Sequence, residues 1–251
     1  MNRQAKAKVG FLNGVYASTY LVPVFLGRVR GYDSLQIGTT VVVTGCAQIL
    51  SVVVAARLSQ KIDMRIMITT GLSLFAASMW LTSHITPDWG FGALLVPQAL
   101  RGIATMLCIV PAVQMALFGF EGAELRYASG LFNLMRNLGG AIGIAVVNTW
   151  LQDGARLQGA RFGETLGENA RQGSDFVAGL ASQLSRVTAD SAGALQLARG
   201  EFAKLVGRYA LTQAFDEVFR TMAWMFLIAL VMVPFCKPPK AGGPAPSPDA
   251  H

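Results

Sequence analysis

The chain has 251 residues, of which 53% are hydrophobic and only 14% are charged, and its mean hydropathy is +0.45. Soluble domains carry about 25% charged residues, so this composition argues against a soluble globular protein. The formal net charge of +7 is compatible with nucleic-acid binding. The basic residues fall mainly between apolar blocks, however, and that pattern is typical of membrane topology. We therefore predict a membrane protein without a nucleic-acid partner.

Six apolar blocks follow in chain order, at residues 9–26, 37–56, 66–83, 91–118, 128–151 and 218–235. A helix of roughly 20 residues crosses the hydrocarbon core of a bilayer, and each block reaches about that length. Backbone polar groups within lipid need internal partners, which favours helices. The predicted class is an all-α integral membrane protein with six transmembrane helices, five within residues 1–151 and the sixth within 218–236. Residues 1–8 are polar and basic, and no signal-peptide cleavage site follows, so we expect no cleaved leader.

Lysine and arginine predict the orientation, because short cytoplasmic loops are enriched in them. The short loops on one side hold only Arg28 and Arg30, whereas the side with both termini carries Arg3, Lys6, Lys8, Arg57, Lys61, Arg65, Arg126, Lys237 and Lys240. Both termini are therefore predicted to be cytoplasmic.

Two segments lie outside the blocks. Residues 152–217 are predicted to be extracytoplasmic, and they carry apolar residues at helical spacing: Phe176, Val177, Leu180, Leu184 and Val187, then Leu195, Ala198, Phe202, Leu205 and Tyr209. This spacing favours one or two amphipathic helices at the membrane surface or in a cap; the alternative is a solvated linker with weak helical order. Residues 237–251 are rich in Pro, Gly and Ala and are predicted to be a disordered tail.

Polar side chains inside the blocks are candidates for function, because ionisable groups in a membrane span are costly. Arg101 follows Gln98 in the fourth block, and Arg136 lies in the fifth block between Asn133 and Asn137. Such a polar stripe is expected to face a water-filled cavity or a neighbouring helix. The alternative is that each arginine snorkels to the lipid headgroups.

Two further patterns have a functional and a structural interpretation. Gly139 and Gly143, with Gly140 between them, form a small-residue face that permits close helix packing, either for packing alone or for helix rocking. Asn13, Tyr16 and Tyr20 are polar or aromatic positions of the first block. The two tyrosines lie one turn apart, where they offer a stacking surface to a flat or cationic ligand or belong to an interfacial aromatic belt.

Several chemistries have no support in the sequence. No Asp or Glu lies deep in any of the six blocks, so a membrane proton relay has no evident carboxylate here. The zinc-protease, nucleophile-elbow and phosphate-loop motifs are also absent. We predict no catalytic residue, no metal site and no cofactor.

The cytoplasmic loop ARLSQKIDMR, residues 56–65, resembles the second, degenerate copy of the cytoplasmic loop signature of the major facilitator superfamily. The fifth block, SGLFNLMRNLGGAIGIAV, is similar to the N-x-x-R-x-x-G-G-x-x-G segment of EmrB/QacA-type drug:proton antiporters, which have fourteen spans. The stretches VPQALRG, IVPA, GYDSLQIG and CKPP also resemble the C-terminal half of that group in order and spacing. The resemblance extends over residues 9–239.

The resemblance implies one half of a major facilitator fold, the C-terminal six-helix bundle, in a bacterial inner membrane. In this fold the first, second, fourth and fifth helices line a substrate cavity near the midplane. The implied cavity residues are Asn13, Tyr16, Tyr20, Gln98, Arg101, Asn133, Arg136 and Asn137. Gly139, Gly140 and Gly143 would form a rocking interface, and Asp63 and Arg65 a cytoplasmic latch between the second and third helices.

The implied function is efflux of amphipathic drugs or similar organic molecules by alternating access with proton antiport. The expected partners are the lipid bilayer, the small-molecule substrate, a complementary N-terminal transporter half and a periplasmic adaptor protein. The N-terminal signatures of the family, including its proton-coupling carboxylate, have no match in this sequence. The competing hypothesis is a truncated half that is inert or serves as a scaffold or partner subunit. A membrane enzyme or channel is disfavoured, since catalytic groups and a pore-lining charge ring are missing.

Overall fold

The computed structural model describes residues 18–117, 119–168, 170–184 and 191–233, which are helical almost throughout and contain no strand. Helix α1 comprises residues 18–30 and ends in a π-helical turn, Leu26–Arg30. The later helices are α2 (Ser34–Leu58), α3 (Met64–Thr82), α4 (Phe91–Leu117), α5 (Gly122–Glu168), α6 (Ala170–Leu184) and α7 (Ser191–Met232). The prediction of an all-α protein is confirmed for the described residues.

Four described segments are long and apolar enough to cross a membrane: α2, α3, α4 and Gly122–Phe162 of α5. They correspond to the second, third, fourth and fifth predicted spans. The first and sixth predicted spans run into residues 1–17 and 234–251, which lie outside the described residues. The total of six spans therefore stays a prediction.

The fifth and sixth predicted spans are parts of longer helices. Helix α5 continues beyond Leu151 to Glu168, and α7 is unbroken from Ser191 to Met232, so the predicted boundaries at 151 and 218 are not helix ends. The sequence becomes polar after Leu151 but contains no proline as far as α7, and only proline would both remove a helical hydrogen bond and clash with the preceding turn. A helix can therefore continue from an apolar into a polar environment when its sequence becomes polar.

Helix α4 packs between α2 and α3, and the α2–α4 contact depends on Gly102. A Cβ atom at Gly102 would lie 2.6 Å from the Thr44 carbonyl oxygen and 2.7 Å from Ala47 Cβ. On the other side of α4, the Ser78 hydroxyl of α3 donates a hydrogen bond to the Pro97 carbonyl at 2.7 Å. The backbones of α2 and α4 can approach this closely only because position 102 has no side chain.

Helix α7 closes the other side of the molecule, where it packs against α3 and α5. Phe215 meets Phe25 of α1 edge to face, with ring centroids 5.4 Å apart, and Phe226 stacks on Phe75 of α3 at 4.8 Å. These buried aromatic pairs join α7 to α1 and to α3 over several helical turns, so α7 and α3 form one packed unit.

We predict that Gly102→Ala lowers stability by about 1–3 kcal/mol, because the new methyl group collides with the backbone of α2. Gly45→Ala on α2 is the matched control, since a Cβ at Gly45 meets nothing within 4 Å. The control should be neutral or up to about 1 kcal/mol more stable, from helix propensity alone. Denaturant unfolding of the two purified variants in detergent micelles measures the difference, and equal stabilities would contradict the close approach.

Candidate functional site

Gln98 and Arg101 lie one turn apart on α4 and are almost completely buried, at 1% and 2% exposure. Residues separated by three positions share a helix face. Arg101 is about 15 Å along the axis from the start of α4 at Phe91. Because the hydrocarbon core of a bilayer is about 30 Å thick, this face reaches the middle of the predicted span.

Helix α2 supplies a matching face, formed by Thr40 and Thr44, both buried. The Thr44 hydroxyl donates to Gln98 Oε1 at 2.8 Å, and Gln98 Nε2 donates to the Thr40 carbonyl oxygen at 2.8 Å. A carbonyl oxygen has two lone pairs, so Thr40 can serve its own helix and Gln98 together. The Gln98 amide thereby fixes the register of α4 against α2.

Arg101 extends this network to α1. Its Nη1 donates to the Ser18 carbonyl oxygen at 2.8 Å. Its Nη2 donates to Thr44 Oγ1 at 3.2 Å and to Gln98 Oε1 at 3.1 Å. We call these residues the Arg101 cluster: Ser18, Thr40, Thr44, Gln98 and Arg101.

Among the described residues, the acceptors of Arg101 are neutral oxygens, and its buried Nε has no hydrogen-bond partner. A buried guanidinium without a carboxylate carries a desolvation cost of several kcal/mol. The hydrogen bonds from α1 and α2 offset part of that cost, because bonds to charged groups contribute about 1.5–3 kcal/mol each. The Arg101 guanidinium therefore binds neighbouring helices in the described part of the chain.

The predicted site residues of α5 lie in two different environments. Gly139, Gly140 and Gly143 are buried, and Arg136 on the same helix face is half-buried, with its Nε enclosed. Asn133 and Asn137 are exposed. The glycine face therefore packs inward as expected of small residues, while the two asparagines point away from the described helices.

The remaining predicted site residues are not members of the Arg101 cluster. Tyr20 is half-buried on α1, and Asn13 and Tyr16 lie outside the described residues. At the start of α3, Asp63 is exposed and Arg65 is half-buried. Asp63 occupies the N-cap position of α3 without making a side-chain capping bond, so its carboxylate is accessible for contacts beyond α3.

The sequence interpretation missed Ser18, Thr40 and Thr44. The two threonines lie four residues apart in an apolar helix, and that spacing was the available signal for a polar face on α2. Ser18 contributes its backbone carbonyl, which no side-chain pattern reveals.

The described helices are apolar and surround a buried polar cluster. The sequence pattern of the Major Facilitator Superfamily matches residues 7–144. The chain belongs to the Major Facilitator Superfamily. It is thus a member of a transporter family, not an enzyme, and the Arg101 cluster lies within the matched residues.

Curated relatives narrow the resemblance to EmrB-type drug transporters. The chain is 29% identical over 220 residues to the "Colistin resistance protein EmrB" of Acinetobacter baumannii, covering 87% of this chain and 42% of that protein. It is 27% identical over 229 residues to the "Multidrug export protein EmrB" of Escherichia coli, covering 91% and 43%. It is 24% identical over 240 residues to the "Fatty acid resistance protein FarB" of Neisseria gonorrhoeae, covering 94% and 45%. The chain therefore spans less than half the length of these relatives.

We predict that Arg101→Lys destabilises this protein nearly as much as Arg101→Ala does. A lysine ammonium cannot reproduce the fork by which the guanidinium reaches α1 and α2 together. Each buried acceptor left without a partner costs about 1–3 kcal/mol. Arg126→Ala, at an exposed position of α5, is the control and should stay within about 0.5 kcal/mol of the parent. Denaturant unfolding in micelles measures these values, and full rescue by lysine would show that charge alone suffices.

Proposed function

We propose that this chain forms the C-terminal membrane half of a drug efflux transporter. The assembled transporter exports amphipathic organic molecules by alternating access, driven by proton antiport. The membership of the superfamily and the likeness to relatives named for multidrug export and fatty acid resistance support this proposal.

The observation that carries the proposal is the exposed polar face of α5. Asn133 and Asn137 are exposed within a segment, Gly122–Phe162, that is apolar enough to cross a membrane. Amides that face hydrocarbon lack hydrogen-bond partners, and each unsatisfied group costs several kcal/mol. This face therefore needs a water-filled cavity or another polar surface, which the complementary N-terminal half provides in the proposed transporter.

The Arg101 cluster acts in this proposal as a joint within the half-transporter. Its hydrogen bonds join α1, α2 and α4 near the middle of the predicted span. Rocking of one half against the other requires each half to move as a unit. We propose that the cavity residues of α1 and α4, which include Tyr20 and Gln98, keep their relative positions through that joint. The proposed cavity set is completed by Asn13, Tyr16, Arg101, Asn133, Arg136 and Asn137.

Two contacts are proposed to control the rocking. The buried glycines of α5, Gly139, Gly140 and Gly143, allow a close interface that slides without interlocking side chains. On the proposed cytoplasmic side, Asp63 and Arg65 form a charge latch beside the turn between α2 and α3. We propose that both termini lie on that same side, and the distribution of Lys and Arg supports this.

The helices beyond the bundle are proposed to contact an adaptor protein. We call residues 152–168 of α5, helix α6 and residues 191–215 of α7 the projection. Its part of α7 alone is about 37 Å long. Phe176 packs on Phe202 across α6 and α7 at 5.5 Å, yet Phe176 stays 51% exposed. Exposed apolar groups of this kind are typical of protein contact sites, which supports a periplasmic adaptor as the partner.

The second candidate is a half-unit that does not transport and serves as a partner subunit or scaffold, or is inert. The observation that favours it is the absence of Asp and Glu from the apolar core of every predicted span. A proton antiporter needs a titrating group in the membrane, so this chain depends on another half for coupling.

The test replaces the matching C-terminal part of the Escherichia coli relative with this chain and measures dye efflux from cells that lack the native pump. We predict efflux by the chimera and its loss in Gly139→Leu, because a leucine at a buried glycine separates the packed helices. Gly130→Leu is the control on the same helix, where a Cβ meets nothing within 4 Å. Immunoblots of membranes establish equal insertion. An inserted chimera without efflux favours the non-transporting half-unit, and normal efflux by Gly139→Leu contradicts the glycine interface.

A further inference from the structure

Two tryptophan side chains are exposed where α3 and α7 pack together, near the C-terminal end of α3. Trp80 is 45% exposed and Trp224 is 55% exposed. Their rings meet at 89°, with centroids 6.3 Å apart. A cation binds the face of a tryptophan within about 6 Å of the ring centroid, so one ammonium group can contact both rings. The pair therefore offers an aromatic surface to a cationic group.

His84, in the turn after α3, adds a hydrogen-bond acceptor beside these rings. Its ring centroid lies 5.9 Å from that of Trp80, and its Nδ1 lies 3.1 Å from the Trp80 carbonyl oxygen. A carbonyl oxygen only accepts, so Nδ1 carries the proton in this contact and the neutral ring keeps Nε2 as an acceptor. The His84 side chain is exposed. A primary ammonium, which has N–H groups to donate, suits this set better than a quaternary ammonium does.

Charges of both signs lie next to the aromatic rings. Arg220 is exposed one turn before Trp224 on the same face of α7. Arg220 and His84 both interact electrostatically with the Asp216 carboxyl group, so these α7 residues and the turn after α3 lie together. Glu217 is exposed three positions before Arg220, and neither residue takes part in the ion pairs of the described residues. A guanidinium binds phosphate and a carboxylate attracts an ammonium group, so this end of the surface suits a zwitterion.

An apolar strip on α7 leads from Trp224 towards the middle of the predicted span. Ile228 and Val231 follow Trp224 at one-turn spacing and are 61% and 67% exposed. Large apolar side chains with such exposure need an apolar environment. The strip therefore suits the hydrocarbon part of a ligand whose polar part lies at the tryptophans.

The neighbouring surface of α3 consists of small residues. Ser73 and Ala77 are exposed on the face of α3 that also carries Trp80. The Ser73 hydroxyl donates to the Thr69 carbonyl oxygen at 2.9 Å, so its donor is satisfied within the helix and does not oppose contact with hydrocarbon. Small side chains leave room for an acyl chain beside the apolar strip of α7.

We propose that this surface is a binding site for one phospholipid with a primary ammonium headgroup, of the phosphatidylethanolamine class. The ammonium group binds between Trp80, Trp224 and His84. The phosphate binds Arg220, and an acyl chain lies along Ile228 and Val231. A selective lipid site goes beyond the efflux proposal, since it needs neither substrate nor a second transporter half. On the predicted topology the lipid belongs to the outer leaflet.

The experiment is native mass spectrometry of the full chain released from detergent micelles. Phosphatidylethanolamine, phosphatidylcholine and phosphatidylglycerol with identical acyl chains are titrated separately, and the Kd of the first bound lipid is compared. We expect phosphatidylethanolamine to bind about tenfold more tightly than either of the others. Phosphatidylcholine lacks the N–H donors for His84, and phosphatidylglycerol lacks the cation for the tryptophans.

The tryptophan variants test the aromatic part of the site. Trp80→Leu and Trp224→Leu should each weaken phosphatidylethanolamine binding about three- to tenfold, because each removes one cation–π contact. Trp150→Leu is the matched control, since Trp150 is a 41% exposed tryptophan of α5, and it should bind as the parent does.

Two further variants separate the parts of the headgroup. His84→Phe keeps an aromatic ring but loses the acceptor, so phosphatidylethanolamine should bind only as well as phosphatidylcholine. Arg220→Gln should weaken the binding of all three lipids, because each of them carries a phosphate. Arg28→Gln, at an exposed arginine near the end of α1, is its control and should leave all three unchanged.

A parent protein that does not distinguish the three lipids would overturn the proposal without any variant. A parent that prefers phosphatidylglycerol would also overturn it, in favour of a site for anionic lipid. Selectivity that survives both Trp80→Leu and Trp224→Leu, or falls equally in Trp150→Leu, would contradict the location. Because lipid binding is measured without transport, failure of the efflux proposal and failure of this one are distinguishable.

Discussion

The guanidinium of Arg101 needs hydrogen-bond acceptors within the helices, because none of the described residues bonded to it is a carboxylate and a charge in an apolar span is costly. Those acceptors come from Ser18 of α1, Thr44 of α2 and Gln98 of α4. All three helices must therefore keep one register, and the absence of a side chain at Gly102 lets α2 and α4 approach closely enough to do so. The arrangement of α1, α2 and α4 depends on this one buried charge.

Outside the Arg101 cluster, the molecule has two kinds of surface. The N-terminal part of α5 exposes Asn133 and Asn137 together with large apolar side chains such as Leu134, a mixture suited to a contact with protein and water. The projection, by contrast, consists of long helices that leave the apolar region without a break. Helix α7 runs unbroken from the projection into the bundle and connects the two parts of the molecule.

The sequence predicted which segments are helical more securely than it predicted where the helices end. Blocks of apolar residues identified α2, α3 and α4 within a few residues, since an apolar run of that length has few alternatives in lipid. Residues 151 and 218 are bounds of predicted spans but not helix ends, because α5 and α7 continue as helices through polar sequence. Hydropathy indicates where the chain leaves the lipid. A helix ends only where its backbone hydrogen bonds end.

The sequence by itself determined that this is an all-helical membrane protein of the Major Facilitator Superfamily, because composition, block length and the motif around Arg136 depend on residues close together in the chain. It also singled out Gln98 and Arg101 as polar residues that need an explanation. Only the tertiary structure decided what they contact, since Ser18 and Thr44 are 83 and 57 residues away from Arg101. Local patterns carry no record of such distant partners.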